Sequence, residues 1–265
     1  MTKPLVLITN DDGIDSYFLH LLVQAMQERF DVAVAAPLSE QSWIGRAISR
    51  TREVHLTTYN GFDCPAWTVD GTPSDCVNIA LEHLLPRQPD AVVSGINLGY
   101  NASVPLLLSS GTIAGAIEGA AWGLPALAFS HQIPEDLFEI VRRDHGRVEG
   151  AFEDSLKAAA AHAVRFTAKR IGKTNTGLTV HNINFPAETT ERTPIEHTQP
   201  SRFFHGGLFE AKTPTSYVFS YCPGRRLSDD DREDSLCLLR GNISYTVINY
   251  AELGMLPARS KSRAD

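Results

Sequence analysis

The stretch Leu5-Val6-Leu7-Ile8-Thr9-Asn10-Asp11-Asp12-Gly13 decides the fold. Four apolar residues without polar alternation read as a strand buried on both faces, and the turn-forming Asn-Asp-Asp-Gly ends it. A helical pattern over residues 16–29 follows, and then a second apolar run, Val32-Ala33-Val34-Ala35, closed by Pro37. The same grammar returns at Ala91-Val92-Val93 and at Ala126-Leu127-Ala128-Phe129, with a helical pattern over 113–122 between them. Strands of this kind alternating with helices predict a mainly parallel sheet covered on both faces. The expected architecture is α/β: a doubly wound, Rossmann-like three-layer α/β/α core.

Between these units, a long polar loop follows Pro37, and residues 54–58 and 66–69 read as short strands. Thr72-Pro73-Ser74-Asp75 is a helix start, with Thr72 as N-cap, Pro73 in the first turn and Asp75 complementing the dipole. Residues 134–150 read as a charged, exposed excursion, and residues 152–171 as a long helix. Beyond Gly177 the pattern changes to a strand at 178–183 and antiparallel-looking strands at 217–221 and 243–248. The acidic run over 229–234 reads as a solvated loop, and residues 260–265 as a frayed tail. The expected division is a core over 1–185 and, over 186–265, a C-terminal β-rich extension with a hairpin arm used in oligomerisation.

Composition narrows the function. Of 265 residues, 43% are hydrophobic and 21% charged, with 19 glycines and 15 prolines, an ordinary globular profile. The formal net charge of −7 argues against a sheath for a nucleic-acid polymer, while a small phosphorylated ligand needs only a local site. Cys64, Cys76, Cys222 and Cys237 make no C-x-x-C pair and no zinc spacing, and read as reduced, mostly buried thiols. A Cys222–Cys237 disulfide is the alternative. The N-terminal apolar run is too short for a signal peptide, and Pro105, Glu118 and Pro125 interrupt the most apolar stretch. A cytoplasmic protein without a membrane span is expected.

Three turns carry chemistry. Asp11 and Asp12 stand where an open parallel sheet binds its ligands, and adjacent carboxylates repel unless a cation such as Mg²⁺ or Mn²⁺ neutralises them. The alternative is a plain turn. Ser94-Gly95-Ile96-Asn97-Leu98-Gly99-Tyr100-Asn101 ends another strand on the same edge and supplies neutral oxygen ligands and amide donors, or else simply a capped loop. Ser109-Ser110-Gly111-Thr112 enters a helix, an arrangement suited to phosphate, although Gly115 and Gly119 also fit close helix packing. No P-loop, dinucleotide fingerprint or Gly-x-Ser-x-Gly elbow is present. Asp70–Cys76 reads better as a helix start than as a site wall, and His131 better as a structural or wall residue than as a base. Together these features suggest metal-assisted hydrolysis of a phosphate ester.

In order along the chain, Thr9-Asn-Asp-Asp-Gly-Ile14, Val34-Ala-Ala-Pro37 with Ser42, Asp70-Gly-Thr-Pro-Ser-Asp-Cys-Val77, Pro89-Asp-Ala-Val-Val-Ser-Gly-Ile-Asn97 and Ser110-Gly-Thr-Ile-Ala-Gly-Ala-Ile-Glu-Gly119 resemble the SurE (survival protein E) nucleotidases. The resemblance is dense over residues 3–131 and thinner through His181-Asn-Ile-Asn-Phe-Pro186 and Gly241-Asn-Ile-Ser-Tyr-Thr246. It implies a phosphatase for nucleoside 5′- and 3′-monophosphates, with one divalent cation per subunit and a C-terminal extension often exchanged within a homodimer or homotetramer. By that resemblance Asp11, Asp12, Ser42 and Asn97 would hold the metal, Asn101, Ser110, Gly111 and Thr112 the phosphate, and Asn10 would orient the aspartates. Asp11 and Asp12 are the expected catalytic residues, Asp11 orienting or deprotonating the attacking water; a covalent Asp11 phosphoenzyme is the rival. A non-nucleotide phosphomonoester or short polyphosphate substrate, and a non-catalytic nucleotide-binding role, are the competing functions.

Departures from the family pattern fall on the substrate side. Asp15-Ser16-Tyr17-Phe18 replaces the usual Ala-Pro-Gly after Ile14, and Trp43 stands after Ser42 where the family usually has glycine. The 101–110 loop reads one residue long and lacks an acidic residue, and Thr246-Val247-Ile248 replaces a Thr-Pro-Leu ending. Trp43 and Tyr100 fit either a base-stacking role or ordinary packing.

Overall fold

The computed structural model describes residues 3–222, 224–228 and 230–252. The chain runs β1 (Leu5–Thr9), α1 (Tyr17–Gln27), β2 (Asp31–Pro37), β3 (Leu56–Thr58), β4 (Ala66–Val69) and α2 (Pro73–Ile79), which ends in a wider π-helical turn, Ala80–Leu84. It continues through β5 (Ala91–Leu98), α3 (Val104–Ser109), α4 (Gly111–Ala121), β6 (Ala126–His131), α5 (Phe138–Arg143), α6 (Ala151–Ala168), β7 (Thr179–Phe185) and β8 (Ile195–Thr198). The last part holds β9 (Phe203–Phe204), β10 (Phe209–Thr213), β11 (Ser216–Phe219), β12 (Arg225–Arg226), α7 (Asp234–Leu239) and β13 (Ile243–Asn249).

Nine strands form one sheet in the order β3-β4-β2-β1-β5-β6-β7-β13-β8. The six from β4 to β7 are mutually parallel; β3 is antiparallel at one edge, and β13 runs antiparallel to β7 but parallel to β8. Helices α1 and α6 cover one face, α2 and α4 the other, so both faces are dry and the central strands need no polar alternation. This is the doubly wound α/β architecture expected from the sequence. From β1 the chain winds outward through β2 to β4, then returns to place β5 on the other side of β1. That reversal is the topological switch point, where such sheets open a crevice at their carboxyl edge.

Local chemistry explains the element starts. Thr72 accepts from the Asp75 amide at 3.1 Å, and Asp75 accepts from the Thr72 amide at 2.9 Å, a reciprocal capping box. The 134–150 excursion is anchored as well as charged: Val141 is buried in α5, and the His145 carbonyl accepts from the Tyr17 amide at 2.8 Å. The strand expected at 217–221 is present as β11 but ends at Phe219, before Tyr221, and it pairs with the unforeseen β10 in a separate ribbon. The acidic run is not wholly a solvated loop. Glu233 and Asp234 are buried, and Asp234 accepts from the Ser201 amide and hydroxyl at 2.8 and 2.6 Å as α7 begins; Asp229 and the 260–265 tail lie outside the described residues. All four cysteines are free. β8 and β13 come from beyond residue 185 yet extend the core sheet, while β9–β12 make two small ribbons.

Helix α4 packs closely on the sheet because its facing residues are glycines. A Cβ at Gly119 would sit 2.5 Å from the Cβ of buried, χ1-restricted Val92, and one at Gly115 would sit 2.7 Å from the Thr9 methyl. In an open helix Gly→Ala stabilises by about 1 kcal/mol. Here the clash reverses the sign: Gly119→Ala is expected to destabilise by about 1–3 kcal/mol, measured by urea unfolding. A stabilised variant would contradict this packing.

Candidate active site

Three connections meet at the β1/β5 switch point. The turn after β1 is closed by the Asn10 side-chain amide, which donates to the Gly13 carbonyl at 2.8 Å and so fixes the two residues between them, Asp11 and Asp12. Asp11 is 3% exposed, and it faces the N-terminus of α4. The Thr112 hydroxyl donates to Asp11 Oδ1 at 2.6 Å, and the Thr112 backbone amide donates to the same carboxylate. This approach requires glycine before Thr112, since a Cβ at Gly111 would lie 2.7 Å from the Asp11 Cβ and 2.9 Å from the Gln41 carbonyl oxygen. Ser110 caps the helix, accepting from the Ile113 amide at 3.1 Å.

Asp12 accepts from the Leu98 amide at 3.0 Å, which ties the β1 turn to the end of β5 beside Asn97. Asn97 is buried, its side-chain amide donating to the Gly99 carbonyl at 2.8 Å. The loop after β2 arrives from the other side. The Gln41 amide donates to the Asp11 carbonyl at 2.7 Å, and Ser42 Oγ donates to Glu40 Oε1 at 2.8 Å. The structure thus brings Asp11, Asp12, Asn97, Ser110, Gly111 and Thr112 together, and sets Ser42 on the adjoining loop.

Asn101 is fixed more firmly than any reading of its own loop suggested. Its side-chain amide donates to Ser130 Oγ at 2.9 Å and to Thr112 Oγ1 at 3.4 Å, its backbone amide to Asn184 Oδ1 at 2.7 Å, and its carbonyl accepts from the Asn182 amide at 2.9 Å. Asn182 and Asn184 are two apart on β7, hence on one face of the sheet. That i, i+2 pair of asparagines in a buried strand was the available signal for this support. Glu40 is the other residue the sequence reading missed. Its charge acts on both Asp11 and Asp12, and its carboxylate also meets Arg142 at 3.6 Å.

Electrostatically the pair is out of balance. Burial is the main cause pushing Asp11 up to about 6; the Thr112 bonds oppose it and Glu40 adds to it. Burial, then the Asp11 charge, raise Asp12 well above the usual carboxylate range. The charges acting on both carboxylates are negative ones, which a divalent cation would compensate. The donor set fits such an ion: two carboxylate oxygens with serine and asparagine oxygens nearby is hard-ligand chemistry suited to Mg²⁺ or Mn²⁺. Among the described residues no three His, Cys, Asp or Glu side chains form a metal-holding group, so the neutral oxygens would be needed.

The neighbouring histidine is structural. His131 is fully buried at the end of β6, contacts Ser155 Oγ at 3.1 Å and the Gln132 carbonyl oxygen at 2.9 Å, and burial lowers its pKa to about 4. The 70–76 segment likewise serves as a helix start, with Asp75 also accepting from the Ser49 amide at 3.1 Å.

A family model for Survival protein SurE matches residues 6–205. The chain belongs to the SurE family. It is 32% identical over 254 residues to the 5′-nucleotidase SurE of Methanosarcina barkeri, covering 94% of this chain and 93% of that one. It is 35% identical over 247 residues to the 5′-nucleotidase SurE of Methanococcus maripaludis, covering 91% and 90%. The crystal structure of the SurE protein from Aquifex aeolicus superposes with a TM-score of 0.71 at 24% identity over 93% of each chain, which establishes a shared fold. Among the described residues no helix of this SurE chain is long and apolar enough to cross a membrane.

The raised aspartates give a pH signature in the absence of metal. An unperturbed aspartate titrates near 3.8 and Asp11 in the fold near 6. Between those values the folded chain binds more protons than the unfolded one, so this group's contribution to stability falls as pH rises. His131 and His181, both lowered to about 4 from 6.5, act in the opposite sense over that range. The difference between wild type and Asp11→Asn cancels the histidines. In EDTA the variant should gain on wild type by about 5 °C in Tm between pH 4 and 7, and lose that gain when Mn²⁺ is added. A pH-independent difference would refute the buried-charge assignment.

Proposed function

We propose that this chain is a divalent-metal-dependent phosphomonoesterase acting on nucleoside 5′- and 3′-monophosphates. The observation that carries this reading is the uncompensated Asp11–Asp12 pair set against the N-terminus of α4 at the switch point. The 5′-nucleotidase names of the Methanosarcina and Methanococcus relatives support the same activity. Asp11, Asp12, Ser42 and Asn97 would hold the cation, Mg²⁺ or Mn²⁺, one per subunit. When bound, it supplies positive charge to a phosphate oxygen and acidity to a coordinated water.

The protein's own groups do the rest. Thr112 holds Asp11 by two donors, so the carboxylate keeps one orientation as it accepts a proton from the attacking water. Asn101 and the Ser110–Gly111–Thr112 helix start hold the phosphate, with the α4 dipole favouring the charge that grows on the transferring group. Asn182 and Asn184 keep Asn101 in place from below.

Residues 1–185 carry this site, and residues 186–265 form the proposed extension, whose ribbons serve a homodimer or homotetramer. The proposed location is the cytoplasm, and the substrate a small phosphorylated molecule, with neither a nucleic-acid polymer nor a membrane as partner. Phosphate release from a panel of nucleoside monophosphates tests the activity. Release is expected with Mg²⁺ or Mn²⁺, lost in EDTA, and lowered at least about a hundredfold in kcat by Asp11→Asn. Release that survives both EDTA and the substitution would overturn the assignment.

A further inference from the structure

Trp43 occupies a position where the chain demands a backbone that large residues avoid. Its φ is +62°, in the left-handed region, which is costly for a bulky side chain and is tolerated mostly where the surroundings and the function require it. The residue is clamped on both sides to the site. Gln41 donates to the Asp11 carbonyl at 2.7 Å, and the Gly45 amide donates to the Ser109 carbonyl at 2.8 Å. The backbone around Trp43 is therefore tied to the site on both sides, with Ser42 next to it.

Rings from a distant segment meet it there. Phe219, at the end of β11, lies 5.0 Å from the Trp43 ring, and Tyr221, two residues further, lies 5.7 Å away, both tilted. Tyr221 and Tyr100, which sits in the loop after β5 between Asn97 and Asn101, also act on each other through their hydroxyls. The returning leg of the β10–β11 ribbon thus touches both loops that flank the site, the one after β2 through Trp43 and the one after β5 through Tyr100. Rings gathered only for stability would bury their faces. Trp43 and Tyr221 each remain 40% exposed and Phe219 46%, beside the loops that would hold the phosphate.

We propose that Trp43, Tyr100 and Tyr221 form an aromatic bracket that takes the planar base of the nucleoside leaving group, so that the β10–β11 leg is a specificity element of the site. This rests on the phosphomonoesterase reading and adds the recognised group. A flat π-face stacks any base, so the bracket selects nucleotides over sugar phosphates without hydrogen-bond readout of base identity.

The test compares kcat/KM for adenosine 5′-monophosphate with that for ribose 5-phosphate in wild type, Trp43→Leu, Trp43→Phe and Tyr221→Leu. Equilibrium dialysis of adenosine, which needs no turnover, runs alongside. Each Leu variant is expected to lower the nucleotide-to-sugar-phosphate ratio about tenfold, mainly through KM, and to weaken adenosine binding by a similar factor. Trp43→Phe keeps a stacking face and should hold the ratio within about twofold of wild type. An unchanged ratio and unchanged adenosine affinity in both Leu variants, with native circular dichroism, would overturn the bracket. The two readings fail separately. Adenosine binding that depends on Trp43, without phosphate release from either substrate, keeps the bracket and removes the hydrolase. Equal turnover of both substrates without adenosine binding does the reverse.

Discussion

A carboxylate facing a helix start organises the carboxyl edge of this sheet. Asp11 takes both donors of Thr112, and the approach is close enough that the preceding residue has to be glycine. The chain could relieve a buried aspartate by exposing it or by pairing it with lysine or arginine. Among the described residues it does neither, and it adds a second aspartate and Glu40 to the same field. Such an arrangement costs stability by itself, and it is coherent as half of a charge balance whose other half is a divalent cation.

The rest of the edge follows from keeping that charge in place. The small residues of α4 lower the helix onto β1 and β5, so its N-terminus reaches Asp11. The β5 end reaches back through the Leu98 amide to Asp12, and the β2 loop through Gln41 to the Asp11 carbonyl. Arg46 pins the far end of that loop to buried Glu118 of α4 at 2.6 Å, and Asn78 of α2 holds the other oxygen of Glu118 at 2.9 Å. Loops after three strands are therefore tied to one helix, which is how a switch-point crevice becomes a rigid site.

Much of this was legible in the sequence because parallel-sheet grammar is local. Unbroken apolar runs, the Thr72–Asp75 cap and the three strand-end turns each announce themselves within a few residues, and co-location then follows from topology. What stayed hidden depends on long-range partners. Asn182 and Asn184 read as strand residues until Asn101 is seen against them. Asp234 belongs to an acidic run in sequence but is buried once Ser201 donates to it. Ribbons β9–β12 have weak alternation and little burial of their own, so no local pattern specifies their pairing. Trp43 was visible as a departure, yet its partners Phe219 and Tyr221 lie 176 and 178 residues further along the chain.

The central claim is that the Asp11–Asp12 pair is built to hold a divalent cation. Titration of the metal-free protein with Mn²⁺, followed by electron paramagnetic resonance of the free ion, tests it without any substrate. One ion per chain should bind to wild type, with affinity weakened about tenfold or more in Asp12→Asn. Equal stoichiometry and affinity in wild type, Asp11→Asn and Asp12→Asn would contradict it, and the buried charge would then need another explanation.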